Sequence, residues 1–183
     1  MSFFYLFLLF IAVVIVWLVF TFNRLVVLRM RSKEALSDVD VQLKRRFDLI
    51  PNLVETVKGY MEHEKETLTK VTEARSQVAE GGNALEREKA ENVLSNTLKT
   101  LFAVAEGYPD LKANANFLDL QRELADTENK IQASRRFYNT TTMELNTKIE
   151  VFPTNLLAGI LGFKKMEFFK AEDGERENVK VTF

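Results

Sequence analysis

Residues 3–22 carry no charged side chain, and 16 of the 20 are Leu, Ile, Val or Phe. Twenty helical residues rise about 30 Å, the thickness of a bilayer's hydrocarbon core. At roughly −0.3 to −0.6 kcal/mol per such residue, insertion is favourable by about 5–10 kcal/mol. The run therefore reads as a transmembrane helix, with Tyr5 and Trp17 towards its interfaces. A cleaved signal peptide needs a basic n-region, a short apolar core and a small-residue cleavage site. Met1-Ser2-Phe3-Phe4 supplies no base, the core is too long, and Thr21-Phe22-Asn23-Arg24-Leu25 offers no such site. An uncleaved anchor over 1–23 is the expectation.

The flanks give the anchor a direction. No Lys or Arg precedes it, whereas Arg24, Arg29, Arg31 and Lys33 follow it closely. The positive-inside rule then puts the N-terminus outside and the large domain in the cytoplasm. From Arg24 to Arg46 there are seven basic and three acidic residues. Such an excess attracts anionic lipid, at about 1 kcal/mol for each base near the surface. The chain as a whole has 25 Lys+Arg against 26 Asp+Glu, a net charge of −1. That balance argues against nucleic acid, which demands a basic surface. With no cysteine, disulfides, thiol nucleophiles and thiolate metal sites are excluded.

The remainder reads as long helices, because its three prolines and few glycines leave long stretches unbroken. Over 25–80 the positions Leu36, Leu43, Ile50, Val57, Glu64, Val71 and Val78 recur every seven residues. Val39, Arg46, Leu53, Tyr60, Thr67 and Ala74 form a companion row on the same helical face. The phase survives Pro51, which predicts a kink or a local restart there, with Asp48 as a cap. Gly81-Gly82 ends this arm. A second helix is predicted over Ala84 to Ala105, its face made by Val93, Leu94, Leu98, Leu101, Phe102 and Ala105. It stops at Gly107-Tyr108-Pro109-Asp110. A third runs from Ala115 to Phe152. Its strong row is Phe117, Leu124, Ile131, Tyr138, Leu145 and Phe152, and its polar row is Leu120, Thr127, Ser134, Thr141 and Lys148.

The expected fold is all-α: a transmembrane helix (1–23), an elongated antiparallel bundle of long helices (24–152) and a C-terminal part (153–183) packed on the bundle. In that last part Pro153 breaks the third helix. Thr154 or Asn155 could cap a short helix ending at Gly162. Met166–Phe169 and Val179–Phe183 read as extended pieces around the acidic turn 172–175. The uncharged stretch 152–163 either plugs the bundle end or dips into the membrane interface or a partner. Lacking a basic polar face, it is read as the plug.

The run from Asp40 to Tyr60, which includes Arg45-Arg46-Phe47-Asp48-Leu49-Ile50-Pro51-Asn52-Leu53, resembles the signature of the LemA family. So do Glu106 to Asn114, Thr127-Glu128-Asn129-Lys130-Ile131, Arg136-Phe137-Tyr138-Asn139 and Phe152 to Phe163. The likeness covers nearly the whole chain. One departure lies near Leu36 and Asp38, where the family's Trp and Gln are expected. The resemblance implies a bacterial membrane protein with a long-helix bundle and implies no reaction. A magnetosome-associated relative and gene neighbourhoods with membrane proteases point towards membrane organisation or quality control, as associations.

The residues themselves show little chemistry. His63, the one histidine, begins a zincin-like pattern, but Thr67 stands where the second histidine belongs. Glu62, Glu64 and Glu66 read as a solvated face, except that Glu64 falls on the heptad row and would need a base such as Arg46 or Arg75. Asp48, Glu55, Glu106 and Asp110, with Lys44, Arg45 and Lys112, read as a structural network. Gly81-Gly82 lacks the Gly-Lys-Ser/Thr of a phosphate loop. Asn139-Thr140-Thr141 matches a glycosylation acceptor but lies within a helix. No catalytic, cofactor or metal residues are assigned, and an enzyme using the His63 carboxylates or the Tyr108–Asp110 loop is the least favoured reading.

The expected role is a non-enzymatic, membrane-anchored scaffold or adaptor. It would work in the bacterial inner membrane with the lipid bilayer, its own copies and a membrane protein such as a protease as partners. The alternative is an accessory or regulator of such a protease in quality control.

Overall fold

A computed structural model describes residues 2–61, 63–82 and 84–170. Among them the elements are α1 (Ser2–Lys58), α2 (Lys65–Glu80), α3 (Ala84–Ala105), α4 (Pro109–Lys112), α5 (Ala115–Glu150) and α6 (Asn155–Ala158). The chain is all-α, as its periodicity predicts. The expected extended piece at 179–183 and the acidic turn at 172–175 lie outside the described residues. The described chain forms two compact units, Met1–Val39 with Ala133–Lys170, and Asp40–Gln132.

α1 is one helix of 57 residues that passes through Pro51 without restarting. Proline removes the bond that its own N–H would make to the carbonyl four residues back, here Phe47. The structure fills that vacancy from α2: Arg75 Nε donates to the Phe47 carbonyl at 3.3 Å. The same guanidinium lies 3.9 Å from the centroid of the Phe47 ring. Asp48 therefore caps nothing and pairs with Lys44 within the helix.

The helix does not restart at Pro51; it ends at Lys58, before Gly59, a residue with poor helix propensity, so the arm expected to run to Gly81-Gly82 is two helices. Met61, fully buried, then pulls the chain back towards the core, and Glu64 N–H bonds to its carbonyl at 3.0 Å. The seven-residue phase holds across this turn although the helix does not. Val71 and Ala74 are buried from a separate helix, α2, which packs along α3. Positive φ values at Gly81 and Gly82 form the link between them; a Cβ on Gly82 would stand 2.6 Å from Glu86 Oε2.

The buried side of α1 is Thr21, Leu25, Leu28, Ser32, Ala35, Val39, Leu43, Arg46, Ile50, Leu53 and Val57. Its alternation of three- and four-residue steps slips once, with two steps of four around Val39. This slip puts Ala35 in the core where the heptad rows predict Leu36, which is half-buried. On α5 the buried row runs Phe117, Leu124, Ile131, Tyr138, Leu145 with Thr127 and Thr141 beside it, as the spacing predicts. The row ends at Leu145, because α5 stops at Glu150 and Phe152 is exposed. On α3, Val93 is exposed, and its place on the inner face is taken by Glu91 and Ser95.

Unit Asp40–Gln132 has its core in Ile50, Leu53, Val57, Met61, Val71, Ala74, Leu94, Leu98, Leu101, Ala105, Leu111, Phe117 and Leu124. The other unit has a smaller one in Leu25, Leu28, Leu145, Ala158 and Phe163. Fully burying each such large side chain is worth about 1.5–3 kcal/mol.

Candidate functional site

The first candidate is the end of the anchor, where α1 leaves its apolar run. Phe22 meets the ring of Phe163 edge-on, with centroids 5.9 Å apart. Arg29 is half-buried, and its guanidinium lies 4.9 Å from the centroid of the same ring. Arg24, Arg31 and Lys33 are exposed. Arg24 lines an open groove of about 500 Å³ with Leu28, Met143, Glu144, Thr147, Lys148 and Val151. The four flanking bases are thus not equivalent: three project outwards and one packs on an aromatic ring.

The C-terminal part returns to this place because α5 holds it. The Phe152–Pro153 peptide is cis. After α6, Gly162 takes φ +73°, its N–H bonds to the Gly159 carbonyl at 3.1 Å, and Phe163 N–H reaches the Ala158 carbonyl at 2.9 Å. This is a Schellman ending. Thr154 is buried but makes no side-chain cap bond. Beyond it, residues 163–170 form neither helix nor strand. Asn146 exchanges two 2.9 Å bonds with the backbone of Met166, and Asn139 does the same with Phe169. Tyr138 Oη donates to the Glu167 carbonyl at 2.9 Å, and its ring lies 5.0 Å from that of Phe169. Each Asn satisfies the backbone N–H and C=O of one residue of this segment, as a strand partner would. Sequence reasoning missed this pairing. The available signal was two asparagines seven residues apart, each one position after a member of the buried α5 row.

The second candidate is a buried charge cluster in the other unit. Arg46 is 1% exposed, with Nη2 2.5 Å from Glu91 Oε2 and Nη1 2.6 Å from Glu128 Oε2. Its Nη1 also donates to Ser95 Oγ, and its Nη2 to the Glu91 carbonyl at 3.2 Å. Among the described residues Arg46 Nε has no hydrogen-bond partner. The cluster ties α1, α3 and α5 together through one fully desolvated guanidinium.

Glu64 does not join this cluster, nor does it meet Arg75. It lies half-buried between α1 and α2 and accepts from Tyr108 Oη at 3.2 Å. Burial and then this bond hold the Tyr108 hydroxyl above its ordinary pKa. Nearby, Asn114 Oδ1 accepts the Phe117 N–H at 3.0 Å and caps α5, while its Nδ2 donates to Tyr60 Oη at 3.0 Å. The Glu106–Asn114 motif is therefore a fastening between α3, α5 and the α1–α2 turn. The expected polar network is dispersed: Lys44 pairs with Asp48, Lys112 with Glu106, and Arg45 with Glu123 and Asp126. His63 is exposed and lines an open groove of about 1090 Å³ with Val54, Glu55, Lys58, Leu68 and Glu73 among others. Among the described residues no three His, Cys, Asp or Glu side chains converge as a metal site requires.

Comparison with known proteins agrees with this architecture. The family model described as LemA family matches residues 35–183. Protein LemA of Metamycoplasma hominis is 30% identical over 154 residues, covering 82% of this chain and 69% of that protein. Magnetosome protein MamQ 2 of Paramagnetospirillum magneticum is 25% identical over 179 residues, covering 84% of this chain and 66% of that one. Magnetosome protein MamQ of Magnetospirillum gryphiswaldense is 24% identical over 178 residues, covering 83% and 65%. The chain thus spans about two thirds of the length of these relatives. The match includes the segments that build the Arg46 cluster, the α5 cap and the return of the chain to Phe22, and the chain belongs to the LemA family.

Proposed function

We propose that this chain is a non-enzymatic scaffold anchored in the bacterial cytoplasmic membrane, self-associating, with its helical units on the cytoplasmic side. One observation carries the reading. The apolar window of α1 is 0% buried, yet the same helix continues without a break into the folded domain. In water such a surface is untenable; in lipid it is stable. The anchor is then a stiff extension of the domain.

Exposed Arg24, Arg31 and Lys33 support the cytoplasmic orientation. The buried rows of α1 and α5 are consumed within their own cores, so self-association falls to the anchor. There Ala12, Val13, Val16, Trp17 and Phe20 leave a notch of about 440 Å³ that a second helix could fill. The magnetosome relatives lend weight to a role in membrane organisation.

Nanodisc-reconstituted full chain is expected to be oligomeric, and a fusion carrying a C-terminal cytoplasmic reporter is expected to be active. A monomer at every concentration would sink self-association, and a reporter active only outside the cytoplasm would reverse the orientation. An accessory role on a membrane protease predicts a different result: deletion of the gene would change that protease's substrate turnover.

A further inference from the structure

We propose that the turn from Phe152 to Leu161 is a second membrane contact, lying in the lipid interface beside the anchor. The proposal rests on the anchor reading above, and the occupant it names is lipid.

The turn has two faces. Thr154, Ala158 and Phe163 are buried, and the last two share a cluster with Leu25, Leu28 and Leu145. Among the described residues the other face has no cover: Phe152 is 78% exposed, Leu156 62% and Ile160 82%, with Leu161 beside them. Both ends of the turn are pinned at the anchor's exit. Val151 lines the groove that holds Arg24, and Phe163 packs edge-on against Phe22, the last residue of the apolar run. A bilayer that surrounds α1 up to Phe22 must therefore meet the side chains held between those two points.

Composition and charge suit that position. No residue from Val151 to Phe163 is charged, so the segment can enter the headgroup–acyl boundary without desolvating an ion. Basic residues flank it in sequence, Lys148 before and Lys164 and Lys165 after; Lys148 lines the same groove as Arg24, where anionic headgroups would lie, while Lys165 pairs with Glu150. The plug expected from the sequence accounts for the buried face, and lipid accounts for the exposed one. Held in this way, the unit of Met1–Val39 and Ala133–Lys170 touches the bilayer at two points instead of one.

The absence of cysteine makes the test direct. Single-cysteine variants Leu156→Cys, Ile160→Cys, Phe20→Cys and Phe137→Cys of the full chain would each carry an environment-sensitive fluorophore. They would be reconstituted in vesicles of phosphatidylcholine and phosphatidylglycerol, with and without lipid bearing a spin-label quencher near the headgroup. Phe137 is an exposed position of α5 in the same unit and serves as the aqueous reference. Positions 156 and 160 are expected to blue-shift and to be quenched by the labelled lipid, position 137 to do neither. Quenching at position 20 with none at 156 and 160 overturns this inference while leaving the anchor intact. A blue shift at 156 and 160 without lipid quenching assigns the face to protein and equally overturns it. Absence of both a blue shift and quenching at position 20 removes the anchor reading itself.

Discussion

Arg46 stands at a heptad position that leucine or isoleucine would ordinarily fill, and its position acquires meaning from partners 45 and 82 residues away. An arginine at 1% exposure is tolerable because its attraction to Glu91 and Glu128 offsets the solvation energy lost on leaving water. Removing the shared cation from such a cluster strands charge, because Glu91 is 3% exposed and Arg46 is its ion-pair partner. Arg46→Met is expected to lower stability by about 3–5 kcal/mol, read from urea melts of the detergent-solubilised chain followed by helical circular dichroism. Arg46→Met combined with Glu91→Leu is expected to cost less than Arg46→Met alone, because it removes the buried carboxylate instead of orphaning it, while Glu128 keeps access to water. An Arg46→Met loss below about 0.5 kcal/mol, the range of an ordinary surface change, would show that the cluster is not desolvated.

At the scale of the element, Pro51 shows how a helix survives a residue that should break it. The lost donor is replaced by a side chain from α2, so helix continuity depends on tertiary structure. Arg75→Met is expected to cost about 1–3 kcal/mol, chiefly by leaving the Phe47 carbonyl unpaired. In a Pro51→Ala background the restored N–H takes that carbonyl, and Arg75→Met should cost less by about 0.5 kcal/mol or more. Equal costs in the two backgrounds, measured as a double-mutant cycle, would mean that the Arg75 bond compensates nothing. The periodicity of 25–80 was legible and marked Val39, Leu43, Arg46, Ile50, Leu53 and Val57 on α1 and Val71 and Ala74 on α2 as buried, while Leu36 is half-buried and Tyr60 exposed. It did not reveal the turn at 59–64, because a seven-residue phase can be shared by two successive helices that face one core. The α5 row was legible over its whole buried length, since no turn interrupts it.

At the scale of the whole molecule, two cores with no common members divide the described chain, although α1 and α5 contribute to both. Each core should therefore be open to separate weakening. Leu53→Ala, fully buried in the larger core, is expected to cost about 2–5 kcal/mol. Hydrogen exchange should accelerate most within 40–132 and much less around Leu145 and Asn146. Uniform acceleration over both regions would show a single cooperative unit. The candidate sites divide in the same way between legible and hidden. The apolar run, the basic flank and the uncharged 152–163 stretch could all be read in the chain. The packing of Phe163 on Phe22 and the closure of Glu91 and Glu128 on Arg46 could not, because each joins residues distant in sequence.

The sequence by itself determined the properties that depend on neighbours along the chain: the helical class, the apolar span, the basic flank, the buried face of α5 and the Gly162 ending. These follow from local periodicity, propensity and hydration, which act over a few turns. Tertiary structure alone decided where α1 ends, how Pro51 is accommodated, which carboxylates neutralise Arg46, and which side of the 152–163 turn is left uncovered. Each of those outcomes depends on burial and on hydrogen-bond partners brought from elsewhere in the chain, and packing supplies both only once the helices have met.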